Sequence, residues 1–313
     1  MLRHRCSFGL LTVAVGLLAV APTRAVAQEQ PTTNFVPVTD AMLQSPAPED
    51  WLMWRRTLNG WGYSPLDQIT SDNVSDLRMV WTRAMHQGSQ QGTPLAYGGV
   101  LYMPNPGDII QAIDVTTGDL IWEHRRDLPD DLGEHMGGLV TTKRAIAIHG
   151  NFILDTTGDD FLMALDATTG EMAWDTQILD YHVNPALQTA GPIVANGKVI
   201  SGRSCRGSAT PNACVITAHD AVTGTELWRR RTIPGPGEPG DETWGGVPFE
   251  ERKHVGSWMV PSFDPELNLV YVGTSVNVLY TGSEVTGNGA EGPEGYQQRQ
   301  GSSGQLAGAD WRS

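Results

Sequence analysis

Cysteine is scarce in this 313-residue sequence: only Cys6, Cys205 and Cys214 occur, too few for a disulfide-stapled scaffold or a four-thiolate zinc site. Positive charge is also short, with 21 Lys and Arg against 35 Asp and Glu and a net charge of −14. A field of that sign repels nucleic acid and anionic membrane and argues against both as partners. Charged residues make up 18% of the chain beside 36 Gly, 20 Pro and 10 Trp, a balance that excludes disorder for most of it and fits turn-dense β structure. No stretch beyond Ala27 is apolar enough to cross a bilayer. A G-x-S-x-G nucleophile elbow, a P-loop and a dinucleotide fingerprint are all missing. His124, His135, His149, His182 and His219 follow neither H-x-x-x-H nor H-E-x-x-H spacing, so each is read as a strand or loop residue rather than a ligand.

What the chain does have is one eleven-residue phrase, three times. Ala112 to Trp122, Ala164 to Trp174 and Ala218 to Trp228 share the template A-x-D-x-x-T-G-x-x-x-W, and the three Trp are almost evenly spaced. Each copy reads as a hairpin: the Asp and Thr side chains bond the turn backbone, Gly supplies positive φ, and a second strand carries the Trp. One such unit cannot bury its own apolar face, so units repeating about every 50 residues must stack. With no sustained 3.6-residue period between the copies, the expectation is all-β, a propeller of four-stranded blades. Asp114, Asp166 and Asp220 are then turn residues, not a carboxylate pair for acid/base work.

Residues 1–27 join Arg3 and Arg5 to an apolar run, Phe8 to Ala21, and end Ala25-Val26-Ala27. This predicts a signal peptide cleaved after Ala27 and export to the periplasm. Removing a leader with three Arg and no acid takes the charge from −14 to about −17. Cleavage also removes Cys6, leaving Cys205 and Cys214 as an even pair in an oxidising compartment. A disulfide is the first reading, two buried free thiols the second, and metal binding the third; Arg203, Arg206, Pro211 and Asn212 make the intervening loop look exposed. Residues 28–49, rich in Pro, Thr and Gln, are expected to be an extended or disordered linker.

From Asp50 the text becomes specific. Asp50-Trp51-Leu-Met-Trp54-Arg-Arg-Thr-Leu-Asn59-Gly60-Trp-Gly-Tyr63-Ser64-Pro65-Leu66, then Asn73 to Trp81, and the three repeats resemble the opening and the tryptophan-docking motifs of the pyrroloquinoline quinone (PQQ)-dependent alcohol dehydrogenases, the quinoprotein family. The resemblance implies a partial quinoprotein propeller over residues 50–276, about four blades of an eight-bladed ring. Residues 277–313, with scarcely an apolar alternation, are expected to be a low-complexity tail, a product of truncation or a shifted reading frame.

Carried over one position at a time, the resemblance implies five cofactor-binding residues. Arg144 matches the Arg that meets a cofactor carboxylate, and Thr189 and Ser204 match small polar partners. Trp258 matches the Trp that stacks under the quinone, preceding Phe263-Asp264-Pro265-Glu-Leu-Asn268 by the family's interval. Gln91 falls where relatives place a Glu. The family holds Ca²⁺ or a lanthanide through a Glu, an Asn and an Asp, hard oxygen ligands, but the first two positions here are Gly207 and Val276, so the metal is doubtful. Gly138-Leu139 stand where many members have adjacent cysteines, and the family's catalytic Asp has no counterpart in the sequence, so no catalytic residue is assigned. The implied function is a periplasmic dehydrogenase that oxidises an alcohol or related substrate with PQQ and passes electrons to a cytochrome c, inactive as this chain. The alternative is a cofactor-free periplasmic propeller that scaffolds protein interactions.

Overall fold

The computed structural model describes residues 35–136, 142–205, 210–252 and 255–275. The expected signal peptide, the Gly138-Leu139 pair, Gly207, Val276 and the expected tail all lie outside the described residues. The described chain is a β-propeller built from antiparallel meanders. The first sheet is β1 (Leu95–Tyr97), β2 (Val100–Asn105), β3 (Ile109–Asp114) and β4 (Leu120–Arg125). The second is β5 (Ala147–His149), β6 (Phe152–Thr156), β7 (Phe161–Asp166) and β8 (Met172–Gln177). A two-residue strand, β9 (Ala186–Leu187), precedes the third sheet, in which β10 (Ile193–Ala195) and β11 (Lys198–Gly202) are followed by β13 (Val215–Asp220) and β14 (Glu226–Arg231). The short β12 (Ser204–Cys205) leaves that sheet to pair with β9, and β15 (Ser262–Asp264) pairs with β16 (Leu269–Tyr271) as a two-stranded sheet.

Each repeat forms the turn between the third and fourth strands of its sheet. Asp166 Oδ1 accepts from the backbone amides of Thr168 and Thr169, both at 2.9 Å, and Asp114 and Asp220 do the same in their turns. Gly118, Gly170 and Gly224 have φ of 76°, 73° and 72°, where any side chain is strained. All three hairpins also carry a bulge at one place: Ala112 faces Trp122 but Ile113 faces Leu120, and the pattern recurs at Ala164 and Ala218. The extra residue turns the fourth strand so that the Trp leaves its own sheet.

For the first two repeats that Trp docks on the next sheet. The Trp122 ring covers Gly170, where an added Cβ would lie 2.5 Å from it, and its Nε1 donates to the Ala167 carbonyl at 3.0 Å. Trp174 covers Gly224 in the same way. Trp81, which belongs to no copy of the template, covers Gly118 and donates to the Val115 carbonyl at 3.0 Å. It is a third docking residue, invisible to the repeat because the rest of the phrase is not written before it. Between its neighbours, the first three strands of the second sheet are buried on both faces, and Ile148, Ile153, Leu154, Leu162, Met163 and Leu165 are sealed from solvent.

Residues 35–49 depart from the expected linker. Tyr97 Oη donates to the Val36 carbonyl at 2.8 Å, Val38 exchanges backbone bonds of 2.9 and 2.7 Å with Gly150, and the Gly197 amide donates to Asp40 Oδ1 at 3.0 Å. The segment therefore straps the first turn of three successive sheets. A short helix α1 (Asp40–Gln44), capped by Thr39, buries Leu43 beneath it. Polar composition hid this, because the strap is held largely by backbone bonds that composition does not record.

The Cys205–Cys214 disulfide is formed, with a Cα–Cα distance of 5.1 Å. The loop it closes is less exposed than its residues suggested: Arg203 and Pro211 are buried with both cysteines, and Asn212 alone of the described polar residues expected at the surface is exposed.

Candidate functional site

The segments that enter successive sheets run beside one another. Gln90 bridges Lys143 in parallel, and the Thr93 amide donates to the Arg144 carbonyl at 2.8 Å. One sheet further on, Arg144 Nη1 donates to the Thr189 carbonyl at 3.1 Å. The approach is close enough to require glycine at 191, where φ is 86° and a Cβ would meet the Ala145 carbonyl oxygen at 2.0 Å. From the other side, the Ser257 amide donates to the Arg203 carbonyl at 2.7 Å, and Gly256 lies against Ser204 and Cys205. Those contacts deliver Trp258, whose ring centroid sits 5.3 Å from the Arg144 guanidinium carbon.

The chain thus brings Arg144, Thr189 and Trp258 into one cluster, with Ser204 and Gln91 joined to it through neighbouring backbone. The Gln91 side chain turns instead to Ser89 Oγ at 3.3 Å. Trp258 is 44% exposed, unusual for an indole already stacked against a cation. Arg144 is half-buried, and burial lowers its pKa; among the described residues no carboxylate forms an ion pair with it. An under-compensated guanidinium beside an open indole face suits a flat, anionic ligand.

The surrounding interior adds two cations that the sequence reading missed. Lys143 is fully buried, 2.7 Å from Asp108 and 3.4 Å from Asp155. Burial pushes Asp155 up to about 7 against the pull of Lys143. Arg203 is also sealed in; burial lowers its pKa to about 9, partly offset by Asp160. Its Nη1 donates to Ser201 O and Thr217 Oγ1, and Nε and Nη2 find no partner among the described residues. A signal for the first network was present: Asp155 interrupts the apolar run Phe152-Ile-Leu, and a carboxylate there must have a buried partner.

Comparison with known proteins bears on this geometry. Residues 51–288 match the family described as PQQ: glucose/ethanol/alcohol dehydrogenase, beta-propeller domain. The chain belongs to the PQQ-dependent alcohol dehydrogenases. Quinohemoprotein alcohol dehydrogenase ADH-IIG of Pseudomonas putida is 32% identical over 284 residues, 86% of this chain and 38% of the relative. Its solved structure superposes with a TM-score of 0.67 at 28% identity, covering 78% of this chain and 37% of that one. The 1-butanol dehydrogenase (cytochrome c) of Thauera butanivorans is 32% identical over 61% of this chain and 26% of its own length. The chain therefore spans well under half the length of these relatives. The expected quinone-side metal positions, Gly207 and Val276, fall outside the described residues. Among the described residues no helix is long and apolar enough to cross a membrane.

Proposed function

We propose that this propeller serves a periplasmic PQQ-dependent dehydrogenase that oxidises an alcohol and hands the electrons to a cytochrome-type acceptor. The observation that carries the reading is the Arg144–Trp258 pair, a guanidinium short of counter-charge stacked on a half-open indole. PQQ, when bound, supplies the two-electron acceptor. In this chain Arg144 would pair with one of its carboxylates, Trp258 would cover a ring face and exclude water, and Thr189, Ser204 and Gln91 would offer polar contacts. The Cys205–Cys214 disulfide supports an oxidising compartment, the leader-like residues 1–27 support export, and the haem- and cytochrome-linked names of the relatives support the acceptor.

Titration of the purified protein with PQQ, followed by Trp fluorescence, tests this. Saturable quenching is expected, smaller in amplitude for Trp258→Ala and shifted to higher PQQ by at least tenfold for Arg144→Ala, as loss of a charge-assisted bond costs about 1.5–3 kcal/mol. No quenching, or quenching that both variants leave unchanged, would discard this reading and favour the cofactor-free scaffold.

A further inference from the structure

Two of the connections between sheets meet. The link from β4 to β5 contains a one-turn helix, α2 (Leu132–Met136), and the link from β8 to β9 contains Tyr181 and His182. Leu132, Met136, Tyr181 and Leu187 form a small hydrophobic cluster of their own, separate from the main core. On top of it sit Asp131, His135 and His182. Asp131 Oδ2 is 3.1 Å from His182 Nε2 and 4.0 Å from His135 Nε2, and one ligand atom from each residue can be chosen so that all lie within 4.8 Å of one another.

We propose that Asp131, His135 and His182 bind a divalent ion of borderline softness, Zn²⁺ foremost, which clasps these two connections together. Two imidazole nitrogens and one carboxylate oxygen are a donor set Zn²⁺ accepts, with water in the fourth position. Bonds of about 2.0–2.1 Å in a tetrahedron put ligand atoms about 3.3 Å apart, so closure asks only that partly exposed His135 rotate inward. The groups behind the ligands are already arranged for this. Asp180 Oδ1 lies 3.1 Å from His182 Nδ1, the carboxylate contact that fixes a ligating imidazole with its Nε2 lone pair free. Tyr181 Oη donates to Asp131 Oδ1 at 2.7 Å, which occupies one carboxylate oxygen and leaves Oδ2 for the ion. A protonated His182 that donates to Asp131 and Asp180 is the metal-free arrangement of the same groups, and these hydrogen bonds to the two carboxylates raise its pKa. Proton and metal therefore compete for Nε2. The sequence hid the site because its two histidines belong to different connections, with a whole sheet written between them.

The test uses the full chain without a histidine tag, stripped with chelator and titrated at pH 8 with Zn²⁺ against a chromophoric chelator, and separately with Co²⁺. One equivalent is expected to bind, with visible Co²⁺ bands of tetrahedral intensity and a rise in Tm on adding Zn²⁺. His182→Ala and His135→Ala should each abolish that equivalent, and Asp180→Ala should weaken it about 10–100-fold. The three side chains are exposed enough (51%, 35% and 53%) that the metal-free variants should melt with the parent. No stoichiometric binding, or binding that survives both histidine variants, would overturn the proposal.

Discussion

Asp160 stands at the head of β7 with a φ of 67° and a side chain sealed from solvent. Its Oδ1 accepts from Gln188 Nε2 at 2.6 Å, and Oδ2 finds no partner among the described residues. Burial pushes its pKa from 3.8 up to about 7, with Gln188 and Arg203 pulling the other way. A raised carboxyl pKa means the folded state holds a proton that the unfolded state has released. The associated stability is complete below the unfolded value and is lost as pH rises through about 7. His219, which burial lowers to about 4, contributes the opposite slope over part of that range, so the useful measurement is a difference. Asn keeps the shape, the acceptor and the tolerance for left-handed backbone. Asp160→Asn is expected to melt progressively higher than the parent from pH 4 to pH 7, measured by thermal denaturation in matched buffers; a constant offset would contradict it. At this scale the sequence was legible where a residue's neighbours in the chain decide its role. Arg144 and Trp258, singled out by flanking words, lie side by side in the structure, but Lys143, Asp160 and Arg203 acquire their chemistry from burial, which only folding supplies.

At the scale of elements, the hairpin and its bulge were written in the template, and the docking contact was implied by the fixed Trp. Its direction was not, because the contact joins two copies: Trp122 seats on Gly170 and Trp174 on Gly224, the glycine of the following sheet. Gly170→Ala should therefore act at a distance, forcing Trp122 off its seat as well as straining a φ of 73°. Overpacking alone costs about 1–3 kcal/mol and the incompatible backbone adds to it. Trp122→Ala should cost about 3–5 kcal/mol through the cavity. Because both substitutions damage one contact, their effects should fall short of additive in the double variant, which urea unfolding of the set can measure. Additive losses would show that the contact is not shared. One seat differs. Trp174 Nε1 has no partner among the described residues, whereas Thr176 Oγ1 donates to the Gly224 carbonyl at 3.0 Å, a substitution of partners that the template could not announce.

For the whole molecule, the strap formed by residues 35–49 and the disulfide act on different spans. The strap joins three sheets, so Leu43→Ala should lower the stability of all of them together by about 2–5 kcal/mol, with a single transition by circular dichroism and by Trp fluorescence; loss of one signal ahead of the other would restrict the strap to one sheet. Replacing Cys205 and Cys214 by Ser removes a short-loop constraint worth about 2–3 kcal/mol, and the change should appear in the melting temperature under non-reducing conditions and vanish in reductant.

The one-way seating of the indoles also sets an order in time. Trp122 must wait for Gly170, and Trp174 for Gly224, each a full repeat further along the chain. While the polypeptide emerges from its N-terminus, every newly made sheet presents a bare indole until the next turn has been completed behind it. Wherever the chain folds from its N-terminus onward, the unsheltered aromatic ring stands at the leading edge, and Trp81 and Trp122 are covered only once the following turn is in place.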